Sequence, residues 1–557
     1  MRTLTIFVAV VVGPLTLGAC DSPYGGGDAP AVDPTAPRVH ITSPEFGTFA
    51  GDVRTIEVRG TATDDTLVTS VEVNGVAATV HPDGTFTATV PVSVGTNLIH
   101  AIAKDAQNNQ GKETRAVVAG PTLTIARAIP KAITATVSAQ TFDAIGRGAS
   151  SVIASSDLTS LVSSSNPVID VGTTNGQPDC LYGQASVTLI DVGSADITLT
   201  PQAGGIQLDA SLVNVQTNMH LQWSVACLDG SRDVIITSSR IHISGVLGAG
   251  VDFFNNIHFS LANPNVDIAN FHVELGGVPQ RIIDSLDLGN RLGPLLATAT
   301  EKFVAPKLDQ ALAHVNETKT VDLLDKKLDI TVFPTKVDID TTGMLIEVET
   351  EIRAQGDSGE FVYVPNSQPA MDKSRGFQLA VADDAVNQML TSFWSAKGLD
   401  IPINLKTGPY GEIGQLYDRV ELSAKVPPYL DASGSGLKLT IGDLVATFKN
   451  GDAIATQVVV NAHLDLNVAA DPTTGALRLD VGTPTAFVDI IDENIDGANA
   501  LSNAQFEAIT SFALARIVSF GSGAVGAIPL PAVGGVGLAN VAVSEQTGYL
   551  VVDGEIH

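Results

Sequence analysis

The sequence predicts an α+β protein, in which an all-β sandwich precedes two units that combine helices with long antiparallel strands. Short alternating runs recur between residues 38 and 119, and the hairpin dipeptides Asn74-Gly75 and Asp83-Gly84 separate them. Beyond Gly120 the pattern changes to a helix, a long set of strands and further helical segments, and it occurs twice. The first pattern indicates an all-β domain, and the second indicates two larger domains of mixed structure.

The charge of the chain argues against one class of partner. Its 557 residues include 60 Asp and Glu against 31 Lys and Arg, which gives a formal net charge of -29. A nucleic-acid backbone is bound by clustered Lys and Arg, and this sequence has no such cluster. The acidic excess also disfavours adsorption to anionic lipid surfaces. We therefore expect neutral, apolar or cationic partners and no nucleic acid.

The N-terminus, MRTLTIFVAVVVGPLTLGACDS, has the basic start, apolar run and small residues of a secretory signal. Leu17-Gly18-Ala19-Cys20 resembles the lipobox of bacterial lipoproteins. The resemblance implies that residues 1–20 are a lipoprotein signal segment and that acylated Cys20 anchors the chain to a bacterial membrane after export, with the periplasmic or surface face of the outer membrane favoured. The alternative is an ordinary signal with a chance cysteine. Residues 21–37 are rich in Gly, Pro and Asp, which predicts a flexible linker.

The other two cysteines, Cys180 and Cys227, are predicted to form a disulfide, because an exported chain meets an oxidising compartment. Closing that loop would stabilise the fold by roughly 4 kcal/mol on the chain-entropy model. The alternative is two separate buried thiols.

Residues 38–119 resemble the bacterial immunoglobulin-like modules of extracytoplasmic proteins, in the stretch VEVNGVAATVHPDGTFTATVPV and the segments around it. About seven short strands in this length describe a β-sandwich. Asp64, Asp65 and Asp105 could bind calcium as such modules sometimes do. Aspartates that stabilise turns are the favoured explanation of the three residues.

Two helices with an apolar stripe stand out. The first is predicted over Ile133–Leu161, and the second over GFQLAVADDAVNQMLTSFWSAKGLDI, with Gly398 at its C-terminal cap. A broken helix is predicted over Val278–Val315, and a further helix begins at Ser502. The stripe residues proposed to contact ligand are Phe142, Ile145, Val152 and Ile153 in the first helix, and Val386, Met389, Leu390, Phe393 and Trp394 in the second.

The closing segment IPLPAVGGVGLANVAVSEQTGYLVVDGEI is similar to the end of the bactericidal/permeability-increasing protein and lipid-transfer family, within the tubular lipid-binding superfamily. The helix FQLAVADDAVNQML and the paired strands around Gly343 agree with it. The resemblance implies two tandem modules, 120–318 and 319–557, each a long helix wrapped by a highly twisted antiparallel sheet around a cleft for acyl chains. The nine stripe residues are the candidate walls of that cleft. The basic tip of the antibacterial relatives has no counterpart here, so endotoxin binding is not implied.

The stretch from Ile517 to Ser544 has no charged residue, which raises the question of a membrane span. Pro529, Pro531 and Gly534-Gly535 interrupt it, so a hairpin in the second module is favoured over a membrane helix. An ordinary core hairpin fits the same residues.

No motif indicates an enzyme, because the sequence has no Gly-x-Ser-x-Gly elbow, His-Glu-x-x-His helix or Walker loop. Residues 492–497 imitate the start of a calcium loop, but the twelfth position is Asn503, so calcium is not favoured there. We predict no cofactor and no metal, and the expected ligand is a bound lipid. We predict a membrane-anchored lipid-binding protein of the bacterial cell envelope that holds phospholipid or similar acyl chains in apolar tubular pockets. Lipid transfer is one role that such a protein could have. The alternative is a structural or adhesive surface lipoprotein without lipid cargo.

Overall fold

The computed structural model describes residues 35–155, 159, 166–172, 181–286, 318–323, 326–357, 359–407, 413–434, 436–470, 477–482, 484–493 and 538–556. The strands are β1 (Arg38–Ser43), β2 (Thr48–Gly51), β3 (Thr55–Thr63), β4 (Val68–Val73), β5 (Val76–Ala77), β6 (Thr79–Val80), β7 (Thr85–Pro91), β8 (Gly95–Asp105), β9 (Gln110–Ala119), β10 (Thr122–Thr124), β11 (Ile129–Ser138), β12 (Ile169–Gly172), β13 (Tyr182–Gln202), β14 (Gly205–Val225), β15 (Leu228–Val251), β16 (Ile257–Ala269), β17 (His272–Val273), β18 (Thr318–Leu323), β19 (Lys326–Asp340), β20 (Gly343–Ala354), β21 (Glu360–Val362), β22 (Phe377–Ala382), β23 (Ile401–Asn404), β24 (Arg419–Ala424), β25 (Tyr429–Gly434), β26 (Gly436–Asn450), β27 (Ala453–Ala470), β28 (Leu477–Val481), β29 (Thr485–Glu493), β30 (Leu538–Gln546) and β31 (Tyr549–Ile556). The helices are α1 (Ala139–Ser155), α2 (Gln280–Leu286), α3 (Asp383–Ser395) and α4 (Ile413–Leu416).

Strands β1 to β9 form a sandwich of two sheets, with the orders β1-β3-β7-β6 and β2-β9-β8-β4-β5. Val58, Phe86 and Ile99 are fully buried in its core, because alternate side chains of both sheets point inwards. The dipeptide Asn74-Gly75 turns between β4 and β5 with positive φ angles of 47° and 77°, as a tight hairpin turn requires. The predicted all-β sandwich is therefore present.

A seven-stranded sheet with the order β18-β19-β20-β11-β22-β31-β30 joins distant parts of the chain. Its middle strand β11 pairs with β20 and β22, so that Ala135 lies opposite Ile346 on one side and Leu379 on the other. Strands from both sides of the predicted boundary at residue 318 thus share one sheet. The division into domains 120–318 and 319–557 stays a prediction.

The longest strands form a separate sheet with the order β12-β13-β14-β15-β16. Strands β13 and β14 have 21 residues each and β15 has 24, and their alternate apolar residues form a buried face. Helix α1 lies on that face at Gly146, where an added Cβ would come within 2.5 Å of the Ile197 carbonyl oxygen. The Ile197 N–H donates to Ser150 Oγ at 2.8 Å, which holds the helix against β13.

The last sheet has the order β23-β24-β26-β27-β28, with β25 paired to β26 and β29 paired to β27. Helix α3 packs against β20 of the seven-stranded sheet and β25 of this sheet, and Leu390 and Phe393 share a core with Val420 and Val458. None of the described helices is both long and apolar enough to cross a membrane.

The predicted fold class, α+β with two modules of a long helix wrapped by a highly twisted sheet, is wrong. The described residues are mostly strands and resemble an all-β sandwich protein. Their four helices contain 17, 7, 13 and 4 residues, and none of these is a long helix inside a sheet. The physical reason is that strands of up to 24 residues, rather than helices, bury most of the apolar surface here.

The first residues of two predicted helices form strands instead. Residues 133–138 were expected in the first helix and belong to β11, and residues 377–382 were expected in the second and form β22. Short apolar runs do not distinguish a buried strand from a helix, and hydrogen bonding to neighbouring strands decides the matter. Of the predicted broken helix only α2 is described, and the helix from Ser502 lies outside the described residues, as does most of the uncharged stretch.

Candidate functional site

A cleft of about 420 Å³ lies between the sandwich and helix α3. Its walls come from β2, β8 and β9 of the sandwich, from the paired strands β10 and β21, from α3, and from the residues that lead into β25. The lining residues are Phe49, Gly51, Thr96, Val118, Gly120, Thr122, Glu360, Phe361, Val362, Asn387, Thr391, Pro427, Pro428 and Tyr429.

Two glycines allow close packing at the cleft, and Gly95 is the one that faces Tyr429. A Cβ added to Gly95 would lie 2.3 Å from the Tyr429 ring, and Gly95 has a φ of 100° that also favours glycine. Gly120 has a φ of 130°, and its added Cβ would lie 2.9 Å from Val94 Cγ1. Close packing beside the cleft therefore depends on Gly95 against Tyr429 and on Gly120 against Val94 and Val362.

Helix α3 presents a polar edge to the cleft. Asn387 and Thr391 are one turn apart, so they lie on the same face of the helix. The Asn387 side chain is locked against β25, because its Oδ1 accepts from the Leu430 N–H at 2.7 Å and its Nδ2 donates to the Leu430 oxygen at 2.8 Å. Sequence reasoning missed both cleft residues because it selected the apolar stripe of the same helix.

That apolar stripe points into the core rather than into the cleft. Val386, Met389, Leu390 and Phe393 are buried together beneath the C-terminal sheet. Trp394 is half-buried, and its Nε1 donates to the Ala424 oxygen at 2.8 Å. Its ring lies 6.0 Å from the Phe49 ring, which links this one stripe residue to the cleft wall.

The stripe of the first helix also lies in a core. Phe142 and Ile153 are buried against the long sheet and Ile145 is partly buried there, while the side chain of Val152 lies outside the described part. The structure thus separates the two stripes into two cores. A lipid contact by any of the nine residues stays a prediction.

Helix α3 ends in a backbone motif that the sequence indicated one residue too late. Lys397, rather than Gly398, has the left-handed φ of 60°. The Gly398 N–H donates to the Phe393 oxygen at 2.9 Å and the Lys397 N–H donates to the Trp394 oxygen at 2.9 Å. Gly398 is still required there, because an added Cβ would lie 2.3 Å from the Phe393 ring.

Two aspartates begin helix α3, one turn before the cleft residue Asn387; Asp384 is buried and Asp383 is half-buried. Asn366 Nδ2 donates to Asp383 Oδ1 at 2.8 Å and to Asp384 Oδ2 at 3.2 Å. Burial, and then the charge of Asp383, raises the pKa of Asp384 to about 8, and burial raises the pKa of Asp383 as well. Burial beside the same two carboxyl groups raises the pKa of Tyr429, so its hydroxyl stays neutral.

A buried polar network fastens the sandwich to the C-terminal sheet. The Ala116 N–H donates to Asp443 Oδ1 at 2.9 Å and the Gly47 N–H donates to Asp443 Oδ2 at 3.1 Å. The Thr114 N–H donates to Asp489 Oδ2 at 2.9 Å. Since Tyr429 of that sheet also lines the cleft, the network helps to set the distance between this wall and the sandwich. Sequence spacing could not reveal it, because the partners are more than 300 residues apart.

The remaining predicted sites have separate outcomes. Asp105 accepts from the Gln107 and Asn109 N–H groups at 2.8 Å each, and Asp64 accepts from the Thr66 N–H at 3.3 Å, so both stabilise turns. Asp65 accepts from the Thr35 hydroxyl at 2.9 Å. Across the described ranges, no group of three or more His, Cys, Asp or Glu side chains is placed to hold a metal ion.

Two of the three cysteines and most of the candidate calcium loop lie outside the residues that the structure describes. Cys227 lies in the turn between β14 and β15, and Cys20 and Cys180 lie outside the described residues. Residues 494–497 lie outside them too. The acylation of Cys20 and the Cys180–Cys227 disulfide stay predictions.

Comparison with known proteins gives partial likenesses. Residues 37–120 match the family model described as glucodextranase, domain B, and no curated protein matches the chain. Lipopolysaccharide binding protein is similar in structure, with a TM-score of 0.37 and 13% identity over 76% of this chain and 99% of that chain. P47 of Clostridium botulinum E1 has a TM-score of 0.24 and 9% identity over 77% and 100%. The fibronectin(III)-like modules of Clostridium thermocellum CbhA have a TM-score of 0.14 and 12% identity over 35% and 92%.

These likenesses support the predicted resemblance only in part. The family match covers the sandwich and less than half of the chain. All three TM-scores lie below 0.5, which is too low to establish a shared fold. What they establish is a match of the sandwich to a known domain family and a low-scoring likeness of a larger part to lipopolysaccharide binding protein.

Proposed function

We propose that this protein is a lipid-binding protein of the bacterial cell envelope, and that the cleft between the sandwich and α3 takes the apolar part of an amphipathic ligand. The observation that carries the proposal is the cleft itself. Its 420 Å³ falls in the range of about 300 to 1,000 Å³ typical of small-molecule sites. Aromatic, valine and proline residues make up seven of the fourteen lining residues, and five of the others are polar.

The charges around the cleft limit the head group of such a ligand. Glu360 is exposed at its edge, where Thr122 Oγ1 donates to Glu360 Oε2 at 2.6 Å. The cleft-lining residues include no Lys or Arg, and the whole chain has a net charge of -29. A negative head group would therefore be repelled, whereas a neutral or zwitterionic one is accepted. A cationic end would also be attracted by the faces of Phe49 and Tyr429.

Membrane anchoring through Cys20 and residence in the envelope belong to the same proposal, with the N-terminal sequence as their support. We propose binding rather than catalysis, because the polar side chains that line the cleft are hydroxyls, one amide and one carboxylate, with no histidine or cysteine among the lining residues. Transfer of lipid between membranes would be a further role of the same site.

One observation favours the second candidate, a structural or adhesive surface lipoprotein. Three of the side chains proposed as acyl-chain walls, Phe142, Leu390 and Phe393, are at most 1% exposed in their cores. A cargo tunnel along these stripes would require the cores to open. The cleft, by contrast, is open without rearrangement, so the two candidates differ in whether the cleft binds a ligand.

The test uses two matched threonines of β10. Thr122 and Thr124 are both exposed and lie on the same face of the strand, but only Thr122 lines the cleft. We expect Thr122→Trp to weaken the binding of monomeric lysophosphatidylcholine, measured by isothermal titration calorimetry, by at least about tenfold, because the indole fills the cleft. Thr124→Trp should leave the dissociation constant within about twofold.

Two further readouts complete the test. Oleate should bind more weakly than lysophosphatidylcholine because its carboxylate meets Glu360. Organic extracts of the purified protein should contain lipid at close to one molecule per chain by mass spectrometry. A wild-type protein that binds neither probe and carries no lipid would overturn the proposal and leave the surface scaffold; equal weakening by both tryptophans would overturn the assignment to the cleft.

A further inference from the structure

The hairpin formed by β15 and β16 extends past the end of β14, while Ile257 and Phe259 of β16 are buried in the core below its tip. The pairing of β14 with β15 ends at Ile206 and Leu247, whereas β15 continues to Val251 in pairs with β16 only. Four residues of β15 therefore extend beyond the neighbouring strand, which corresponds to roughly 13 Å. We call residues 248–260 the finger.

The tip of the finger carries two adjacent phenylalanines in water. Phe253 is 93% exposed and Phe254 is 74% exposed, and Phe253 is the most exposed large apolar side chain of the described residues. Their rings stand edge to face with centroids 5.6 Å apart. Single exposed apolar residues are ordinary, but a projecting pair of nearly bare aromatic rings indicates a contact surface.

The turn that presents the rings is held by Asp252. Its Oδ1 accepts from the Phe254 N–H and the Asn256 N–H, both at 2.8 Å, and its Oδ2 accepts from His258 Nε2 at 2.9 Å. The Asp252 N–H donates to the Asn256 oxygen at 2.9 Å and the Asn255 N–H donates to the Asp252 oxygen at 3.0 Å. These backbone donors are thus satisfied inside the turn, so placing the tip in an apolar medium leaves none of them unpaired.

We propose that the finger inserts Phe253 and Phe254 into the interface of a zwitterionic phospholipid bilayer. Aromatic side chains favour that interface, and a convex tip with two rings fits a deformable surface without a matching pocket. The finger contains no Lys or Arg, and its one fixed charge is the anion of Asp252 just below the rings. That anion limits insertion to the ring layer and disfavours anionic lipid.

This inference goes beyond the proposed function, since it concerns a second membrane contact, separate from both the cleft and Cys20. This contact would fix the orientation of the folded protein on the bilayer, which the N-terminal anchor alone would not do. The cleft variant Thr122→Trp should retain this contact, so a failure of one proposal leaves the other standing.

The first experiment measures insertion directly, with full-length protein and phosphatidylcholine vesicles that contain brominated acyl chains. Phe253→Trp places a fluorophore at the tip, and Leu228→Trp places one at another exposed turn, 76% exposed, at the opposite end of β15. The signal of the natural Trp223 and Trp394 is subtracted. We expect bromine quenching and a blue shift for Phe253→Trp and neither change for Leu228→Trp. Equal quenching of the two, or none at the tip, would overturn the proposal.

The second experiment measures affinity by co-sedimentation with the same vesicles without bromine. The double variant Phe253→Ala/Phe254→Ala should bind about a hundredfold more weakly than wild type, about tenfold for each ring, with its thermal unfolding midpoint unchanged because both rings are exposed. Binding to phosphatidylglycerol vesicles should be weaker than to phosphatidylcholine. Stronger binding to phosphatidylglycerol, or a dimer in the absence of vesicles that the double variant abolishes, would contradict the bilayer as occupant.

Discussion

Asp443 offers a sharp test of how the sandwich is held against the C-terminal sheet. It is fully buried in β26, where it has a positive φ of 45° at an irregularity in the pairing with β27. Its two carboxylate oxygens accept backbone N–H groups from Ala116 and Gly47 of the sandwich. The neighbouring Gly442 lets the two bodies meet, because an added Cβ there would lie 2.3 Å from the Ala116 Cβ.

The magnitude follows from the protonation of this carboxyl group. Burial raises the pKa of Asp443 from 3.8 to about 6, against the hydrogen bonds that lower it. The folded state therefore holds the proton more tightly, so the free energy of unfolding falls as pH rises from about 4 to about 6. A difference of about two pKa units corresponds to about 3 kcal/mol. Asn at this position keeps the shape and tolerates a positive φ, but it cannot ionise.

The assay compares Asp443→Asn with wild type by urea unfolding between pH 4 and pH 8. At pH 4 the variant should be less stable by about 1 to 3 kcal/mol, because its amide N–H₂ group faces a backbone donor. Relative to wild type it should gain about 3 kcal/mol between pH 4 and pH 8. The control Asp452→Asn is fully exposed and should show no such trend. A stability difference for Asp443→Asn that stays constant across this pH range would refute the reasoning.

Two other predictions concern pH and glycine. Burial raises the pKa of Asp384 to about 8 and of Asp489 to about 7, so the folded state binds protons more tightly than the unfolded state. The thermal unfolding midpoint should therefore decrease as the pH rises from 5 to 8. A higher midpoint at pH 8 than at pH 5 would contradict both assignments. Gly398→Ala should destabilise by about 1 to 3 kcal/mol because its Cβ would meet the Phe393 ring, whereas Gly148→Ala in α1 meets nothing within 4 Å and should stabilise by about 0.5 to 1 kcal/mol. Urea midpoints that shift in the same direction would count against this contrast.

The sandwich could be predicted from sequence because its signals are local. Asn74-Gly75 sits between alternating strands, and the positive φ angles of that turn are a property of the two residues themselves. The stripe of α3 was equally readable, since Val386, Leu390 and Phe393 recur at helical spacing and are buried on one face.

The conformation of β11 and β22 could not be predicted in the same way. Both are short apolar runs followed directly by a helix, so the helical pattern was extended backwards over them. Their place in the middle of a seven-stranded sheet depends on strands more than 150 residues away, such as β20 and β31. Hydrogen bonds to those strands outweigh any local preference.

Sequence alone predicts the net negative charge, which is a property of composition, and the sandwich turns and apolar stripes, which depend on residues close together in the chain. Tertiary structure alone decided that those stripes face cores, that Asn387 and Thr391 face a cleft, and that Asp443 meets Ala116. The exposure of Phe253 and Phe254 also depends on tertiary structure, because the strand pairing determines that β15 extends beyond the end of β14. Contacts between distant segments depend on how sheets pair and pack, and no local pattern of residue types encodes that choice.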